Sequence, residues 1–166
     1  MDDFTEATAR RIVERAYRGK ADRFGQPQIH HLARVVARVA PDCKVAAWLH
    51  DIVEDGCLTF EQVAREGIGA DDLAALRLLT RMAEGTYMQY IHRIAAADGP
   101  AGAIARQVKL SDLHDNLTRK APAELLGMRA PGGRYPRALR VIEDAARARE
   151  ETFLPSRAAD VRQRGS

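Results

Sequence analysis

A chain of 166 residues and 18.4 kDa is long enough to bury its own core without disulfide or metal staples. With 46% hydrophobic and 30% charged residues it falls outside the disordered and fibrous classes, and Cys43 and Cys57, in no CxxC spacing, exclude a disulfide framework and a zinc-thiolate site. The net charge of +3 and pI of about 9.1 raise the question of nucleic acid, but basic and acidic residues alternate along most of the chain without an aromatic-interleaved patch, so no nucleic-acid partner is expected.

In chain order, nearly every periodic segment is helical. Thr5 to Arg18 places Ala9, Ile12, Val13 and Ala16 on one face and stops at Gly19. A loop follows, and Pro27 opens a helix whose stripe is Leu32, Val35, Val36 and Val39. Lys44 to Glu54 is apolar almost all round, as a central buried helix should be, and Gly56 ends it. Thr59 with Glu61 and Gln62 reads as a capped short helix fading at Gly67 to Gly69. A helix through Leu73, Leu76 and Leu79 comes next, then one from Thr86 to Ala97 with Tyr90, Ile91 and Ile94 inward. Asp98-Gly99-Pro100 separates it from a long helix, about Ala101 to Asn116. The Pro- and Gly-rich stretch Ala121 to Pro136 reads as a connection, Tyr135 to Thr152 as the last helix, and 155–166 as a flexible tail.

With no alternating strand pattern, heptad array or repeat, the expectation is all-α: one compact multi-helix bundle over residues 1–154. No run of about 18 apolar residues occurs and MDDFTEATARR is not a leader, so neither a membrane nor secretion is expected and the protein is placed in the cytoplasm. The oligomeric state is open.

The chemistry-bearing residues lie at three separated places: His31, the His50-Asp51 pair and Asp112. Two imidazoles and two carboxylates form a mixed nitrogen and oxygen shell that suits manganese, iron or zinc and suits calcium poorly. Neighbours on a helix diverge by roughly 100°, so His50 and Asp51 can share a metal only if it sits beside their helix, with partners arriving from elsewhere. Asp112 and Asn116, four apart, share a helix face, where an ion pair with Arg119 is the rival role. Any of these histidines taken singly is more often a satisfied core or surface residue than a ligand.

The segments GQPQIHHLARVV, AAWLHDIVEDG, LTRMAEGTYMQYIHRI, VKLSDLHDNL and RYPRALRVI, in that order, resemble the HD-domain phosphohydrolases. The resemblance is closest to the RelA/SpoT-type hydrolase domain and the stand-alone small alarmone hydrolases, and covers most of residues 12–145. It implies an all-α fold and one divalent metal, usually manganese, on His31, His50, Asp51 and Asp112. It further implies Glu54 and Asp55 as catalytic acids and Asn116 as a substrate contact. His31 is preferred to its rival His30 because the family histidine falls six residues after the glycine and four after the proline, here Gly25 and Pro27. A metal that lowers the pKa of water, with a carboxylate to orient or deprotonate it, fits attack on phosphorus.

The implied activity is a pyrophosphohydrolase removing a 3'-pyrophosphate from a guanosine tetra- or pentaphosphate alarmone, with no chain left over for a synthetase. Arg23, Lys20, Arg81 and Lys109 are the candidate phosphate contacts, solvated surface charge being their plain alternative, and Tyr87 with Tyr90 the candidate pocket wall. Four departures stand out: Asp22-Arg23 replaces the family's Arg-Lys pair, and Gln28, Leu32 and Gly56 replace tyrosine, proline and threonine. None removes a ligand, so a retained catalytic centre with a remodelled nucleoside pocket is expected. Other phosphorylated nucleotides are the alternative substrates: an adenine alarmone, an NADPH-like dinucleotide or a nucleoside monophosphate. A non-catalytic nucleotide-binding HD domain is the reading from another class, with the acid pair against it.

Overall fold

The computed structural model describes residues 4–119 and 132–153. They form an all-α bundle of helices α1 (Glu6–Ala16), α2 (Gln28–Val36), α3 (Lys44–Leu49), α4 (Phe60–Arg65), α5 (Ala70–Leu79), α6 (Tyr87–Ala96), α7 (Gly99–Thr118) and α8 (Arg134–Phe153), with a 3-10 turn at Pro41–Cys43 before α3. Among the described residues there is no β-strand, only an isolated antiparallel bridge between Ala21 and Pro27. None of the described helices is long and apolar enough to cross a membrane.

Helix starts follow the local chemistry. Thr5 caps α1, its hydroxyl accepting from the Thr8 amide. Thr59 and Thr86 each form a capping box, with Gln62 and Gln89 returning the bond to the cap residue's own N–H. The last helix matches the expected Tyr135 to Thr152 to within one residue at each end, and one boundary elsewhere differs from expectation. Pro136 lies in the first turn of α8, where its missing N–H would be unpaired in any case. The helix expected to reach Glu54 ends at Leu49 and hands over to tighter turns, with Ile52 N donating to Leu49 O and Gly56 N to Val53 O. Gly56, at φ +69°, takes the left-handed conformation that closes this run. The 121–131 part of the expected connection and the expected tail at 155–166 lie outside the described residues.

Helix α7 is the axis of the fold, packing against α2, α3, α5, α6 and α8. At its start Gly102 has no room for a side chain, since a Cβ there would lie 2.2 Å from the Ala97 carbonyl oxygen. Leu32 and Val35 from α2, Leu49 and Ile52 around the end of α3, and Val108 and Leu113 from α7 are all fully buried in one core. Each such side chain contributes roughly 1.5–3 kcal/mol of burial. That core holds rigid the three backbones that carry His31, His50 and Asp112. Trp48, next to the His50-Asp51 pair, is also core, its indole N–H reaching Glu6.

Candidate functional site

The three separated places meet. One ligand atom each from His31, His50 and Asp112 lies within 4.8 Å of the others, and all three residues are buried. His31 Nε2 is 3.3 Å from Asp112 Oδ1, and His50 Nε2 is 3.9 Å from the same oxygen. Asp51 closes the remaining side, with Oδ1 3.2 Å from His50 Nε2 and Oδ2 3.7 Å from His31 Nε2. His30, the neighbour with the same chemistry, is exposed on the outer face of α2.

The orientation of each ring follows from its other nitrogen. His50 Nδ1 sits 2.8 Å from the Ala47 carbonyl, which can only accept, so Nδ1 carries the proton and Nε2 offers its lone pair. That Nε2 is buried and makes no hydrogen bond. A buried, unpaired nitrogen normally costs about 1–3 kcal/mol, and a cation among these oxygens and nitrogens removes the cost. His31 Nδ1 lies 2.7 Å from Asp115 Oδ2, again turning Nε2 to the centre. The His31, His50 and Asp112 group, with Asp51 at its side, can hold a metal ion.

Electrostatics at the floor are strongly perturbed. Burial alone would lower the His31 pKa, but hydrogen bonds to Asp112 and Asp115 and the charges of Asp112 and Asp51 push it up to about 10. Burial resists ionisation of Asp112, yet the Lys109 ammonium 2.8 Å away, then His31 and His50, holds it well below the carboxylate range. Lys109 is raised in return, Asp112 overcoming its desolvation. The carboxylates that favour a proton on His31 would equally favour a divalent cation at the same place.

The acid pair stands at the mouth, both residues exposed. Glu54 Oε2 accepts from the Arg81 backbone N–H at 2.9 Å, and Asp55 Oδ2 accepts from the Tyr17 hydroxyl at 2.9 Å. Protein packed around the Asp55 carboxyl, reinforced by the charge of Asp51, raises its pKa despite its position at the rim. Tyr17 is pushed up as well, first by burial and then by Asp51 and Asp55, so it remains a proton donor.

One cavity of about 440 Å³ takes in the His31, His50, Asp51 and Asp112 group, the acid pair and Tyr17 together with Lys20, Arg23, Arg81, Tyr87, Lys109 and Asn116. Asn116 donates to Asp112 Oδ1 at 2.7 Å, so it orients a candidate ligand from the same face of α7. Lys20 reaches Cys57, and Arg23 donates to the Tyr135 hydroxyl at 2.6 Å. Tyr87 walls the cavity, whereas Tyr90, although it touches the lining, is buried and donates its hydroxyl to Leu79 O. The Arg134 guanidinium packs over the rings of Tyr87 and Tyr135, at 4.8 and 5.2 Å.

Several site residues escaped the sequence reading. Tyr17, Phe24, Arg119, Arg134 and Tyr135 line the cavity, and Asp115 stands behind it. Asp115 and Arg119 lie three and seven residues after Asp112, a helical spacing that could have marked them. Arg134 and Tyr135 are brought in by α8; they open the family-like segment RYPRALRVI, which gave them no role at the site. The departures also find partners. Gln28 donates to Asp51 Oδ2 at 2.9 Å, and Asp22 binds Arg119 at 2.6 Å while the same guanidinium lies 3.9 Å over the Phe24 ring. Arg119 thus pairs with Asp22 and Asp115, not with Asp112 or Asn116.

No protein-family model matches the chain, and no curated protein matches it.

Proposed function

We propose that this protein is a manganese-dependent pyrophosphohydrolase that removes the 3'-pyrophosphate from a guanosine tetra- or pentaphosphate alarmone. The observation that carries the reading is the bare, buried Nε2 of His50 among His31, Asp51 and Asp112, on the floor of a cavity whose wall holds Lys20, Arg23 and Arg81. A floor of nitrogen and carboxylate ligands under a cationic wall suits a metal-assisted attack on a polyphosphate. The likeness to HD-domain hydrolases supports the same assignment through the positions of His31, His50, Asp51 and Asp112.

Bound there, a divalent cation supplies Lewis acidity, polarising a phosphoryl oxygen and making water more acidic. Glu54 and Asp55 take the proton from the attacking water, as their position at the cavity mouth allows. Their hydrogen bonds from Arg81 N–H and Tyr17 hydroxyl hold them in place. Water's oxygen joins phosphorus, the P–O bond to the 3'-oxygen breaks, and the proton passes to that leaving oxygen. Arg23, Arg81 and Lys20 neutralise the phosphates that stay outside the floor.

The Asp22-Arg119 pair favours a second reading, in which the same chemistry acts on another phosphorylated nucleotide, such as an adenine alarmone, an NADPH-like dinucleotide or a nucleoside monophosphate. Here Asp22, which stands where the family has an arginine, binds Arg119, and the same guanidinium lies on Phe24. The experiment is to incubate purified protein and Mn²⁺ with this panel and measure pyrophosphate and phosphate release. Pyrophosphate from the guanosine alarmone is expected; release only from another nucleotide moves the assignment to the second reading. If no nucleotide turns over, the protein is a non-catalytic binding domain and the proposal fails.

A further inference from the structure

Asp115 is a buried carboxylate with no exposed surface, and four side chains converge on it. His31 Nδ1 lies 2.7 Å from Oδ2. Arg34 takes both oxygens, with Nε 2.7 Å from Oδ1 and Nη2 3.2 Å from Oδ2. Arg38 Nη1 is 3.3 Å from Oδ1 and Arg119 Nη1 is 3.4 Å from Oδ2. A single carboxylate needs one cation for neutrality, and this one has three arginines besides the histidine. A clamp between α2 and α7 would need only the bidentate Arg34. The remaining arginines keep Asp115 ionised and fixed in direction, so that it accepts and never donates at His31 Nδ1.

The geometry of the ring gives that excess a use. His31 rotates about its side-chain bonds unless one nitrogen is held, and either nitrogen can act as a ligand. With Nδ1–H donated to Asp115, the lone pair of Nε2 can face only His50, Asp51 and Asp112. Helix α7 thereby carries a ligand, Asp112, and the residue that aims the opposite ligand, Asp115, one turn apart on the same face. Helix α2 repeats the pattern with His31 and Arg34.

We propose that Asp115 is a positioning residue of the metal centre, fixing the tautomer and direction of His31 so that Nε2 is the ligand atom, with Arg34, Arg38 and Arg119 holding the carboxylate. It rests on the metal-binding part of the preceding reading and is independent of the substrate. A carboxylate behind a ligating imidazole raises the basicity of the ring, and removing such a partner typically lowers metal affinity roughly 10–100-fold.

The test is calorimetric titration of the metal-free protein with Mn²⁺, for the wild type and Asp115→Asn, with circular dichroism to establish the fold. The asparagine keeps the shape and an acceptor oxygen and removes the charge. A folded Asp115→Asn variant with Mn²⁺ affinity reduced about tenfold or more is expected. A folded variant within twofold of wild type makes Asp115 a helix clamp and overturns the proposal, while Mn²⁺ binding by the wild type leaves the metal centre standing. If the variant does not fold, long-range ¹⁵N–¹H correlation on Zn²⁺-loaded wild type decides: a proton retained on His31 Nδ1 supports the proposal, and a bare or ligating Nδ1 overturns it. Absence of any Mn²⁺ or Zn²⁺ binding by the wild type removes the metal centre and this inference together.

Discussion

The floor and the wall of the cavity are built on opposite terms. On the floor the charged groups are buried or half-buried and most have a partner within hydrogen-bond reach: Asp112 with Lys109 and Asn116, Asp115 with its arginines, Asp51 with Gln28. The exception is His50 Nε2. On the wall Arg23 and Arg81 are exposed and have no carboxylate partner among the described residues, and Arg134 makes ring contacts while its Nε is unpaired. A buried charge must be compensated within the protein, so the floor is pre-organised before anything binds. Exposed cations keep their water until an anion arrives, so the wall can meet substrates of varied shape. In the proposed function the floor would fix the chemistry and the wall the choice of substrate.

The largest effect should come from breaking the floor. His50→Ala or Asp112→Ala is expected to lower Mn²⁺ affinity by more than about 100-fold, since even a supporting partner of a ligand is worth roughly 10–100-fold. Calorimetry read beside circular dichroism checks it, and a folded variant that still binds tightly would remove the residue from the ligand set. At the junction of floor and wall, Glu54→Gln should lower kcat by roughly 10²-fold or more and leave Mn²⁺ affinity unchanged, as expected for a proton acceptor that is not a ligand. A joint loss of both would make Glu54 part of the floor.

On the wall, Arg81→Gln should raise KM about tenfold with little change in kcat, the worth of one charge-assisted contact to a phosphate. An equal fall in kcat and kcat/KM would mean that the wall acts in the transition state. The pH response should be smaller but diagnostic. Because the folded His31 pKa is raised to about 10, its contribution to the metal-free protein is full below the unfolded value and is lost as pH rises through about 10. The lowered Asp112 and Asp115 act in the other direction, contributing above the ordinary carboxylate range and losing that contribution as pH falls through their folded values. Thermal melts of metal-free protein across pH check both arms. Mn²⁺, which must displace the His31 proton, should bind more tightly as pH rises across the same window and release protons on binding. A flat affinity profile would detach His31 from the centre.

Much of the bundle was legible because caps and apolar periodicity act over a few residues. Thr59 and Thr86 signal their helices through glutamines three positions on, and the Leu32, Val35, Val36 and Val39 stripe is buried as its spacing requires. The end of α3 was not legible. Apolar residues continue through Ile52 and Val53, and nothing local separates an α-helical turn from the tighter turns that bring Asp51 beside His50. For Asp115 the three-residue spacing from Asp112 is a weak local signal. An aspartate in a polar helix segment is ordinary surface charge until α2 is packed on it.

From its sequence alone, this protein's all-α class, most helix starts and the donor types that can make a metal centre were determined, since each depends on chemistry within a turn or two of chain. Which histidine nitrogen points inward, which aspartates face the centre and which stands behind it, and which cations share a wall with Tyr87 were decided only when α2, α3, α7 and α8 came together. Those choices depend on desolvation and on partners more than 20 residues away, such as Asp51 for Gln28, Asp115 for His31 and Tyr135 for Arg23. Local spacing does not carry that information, because burial and charge pairing are properties of the packed bundle.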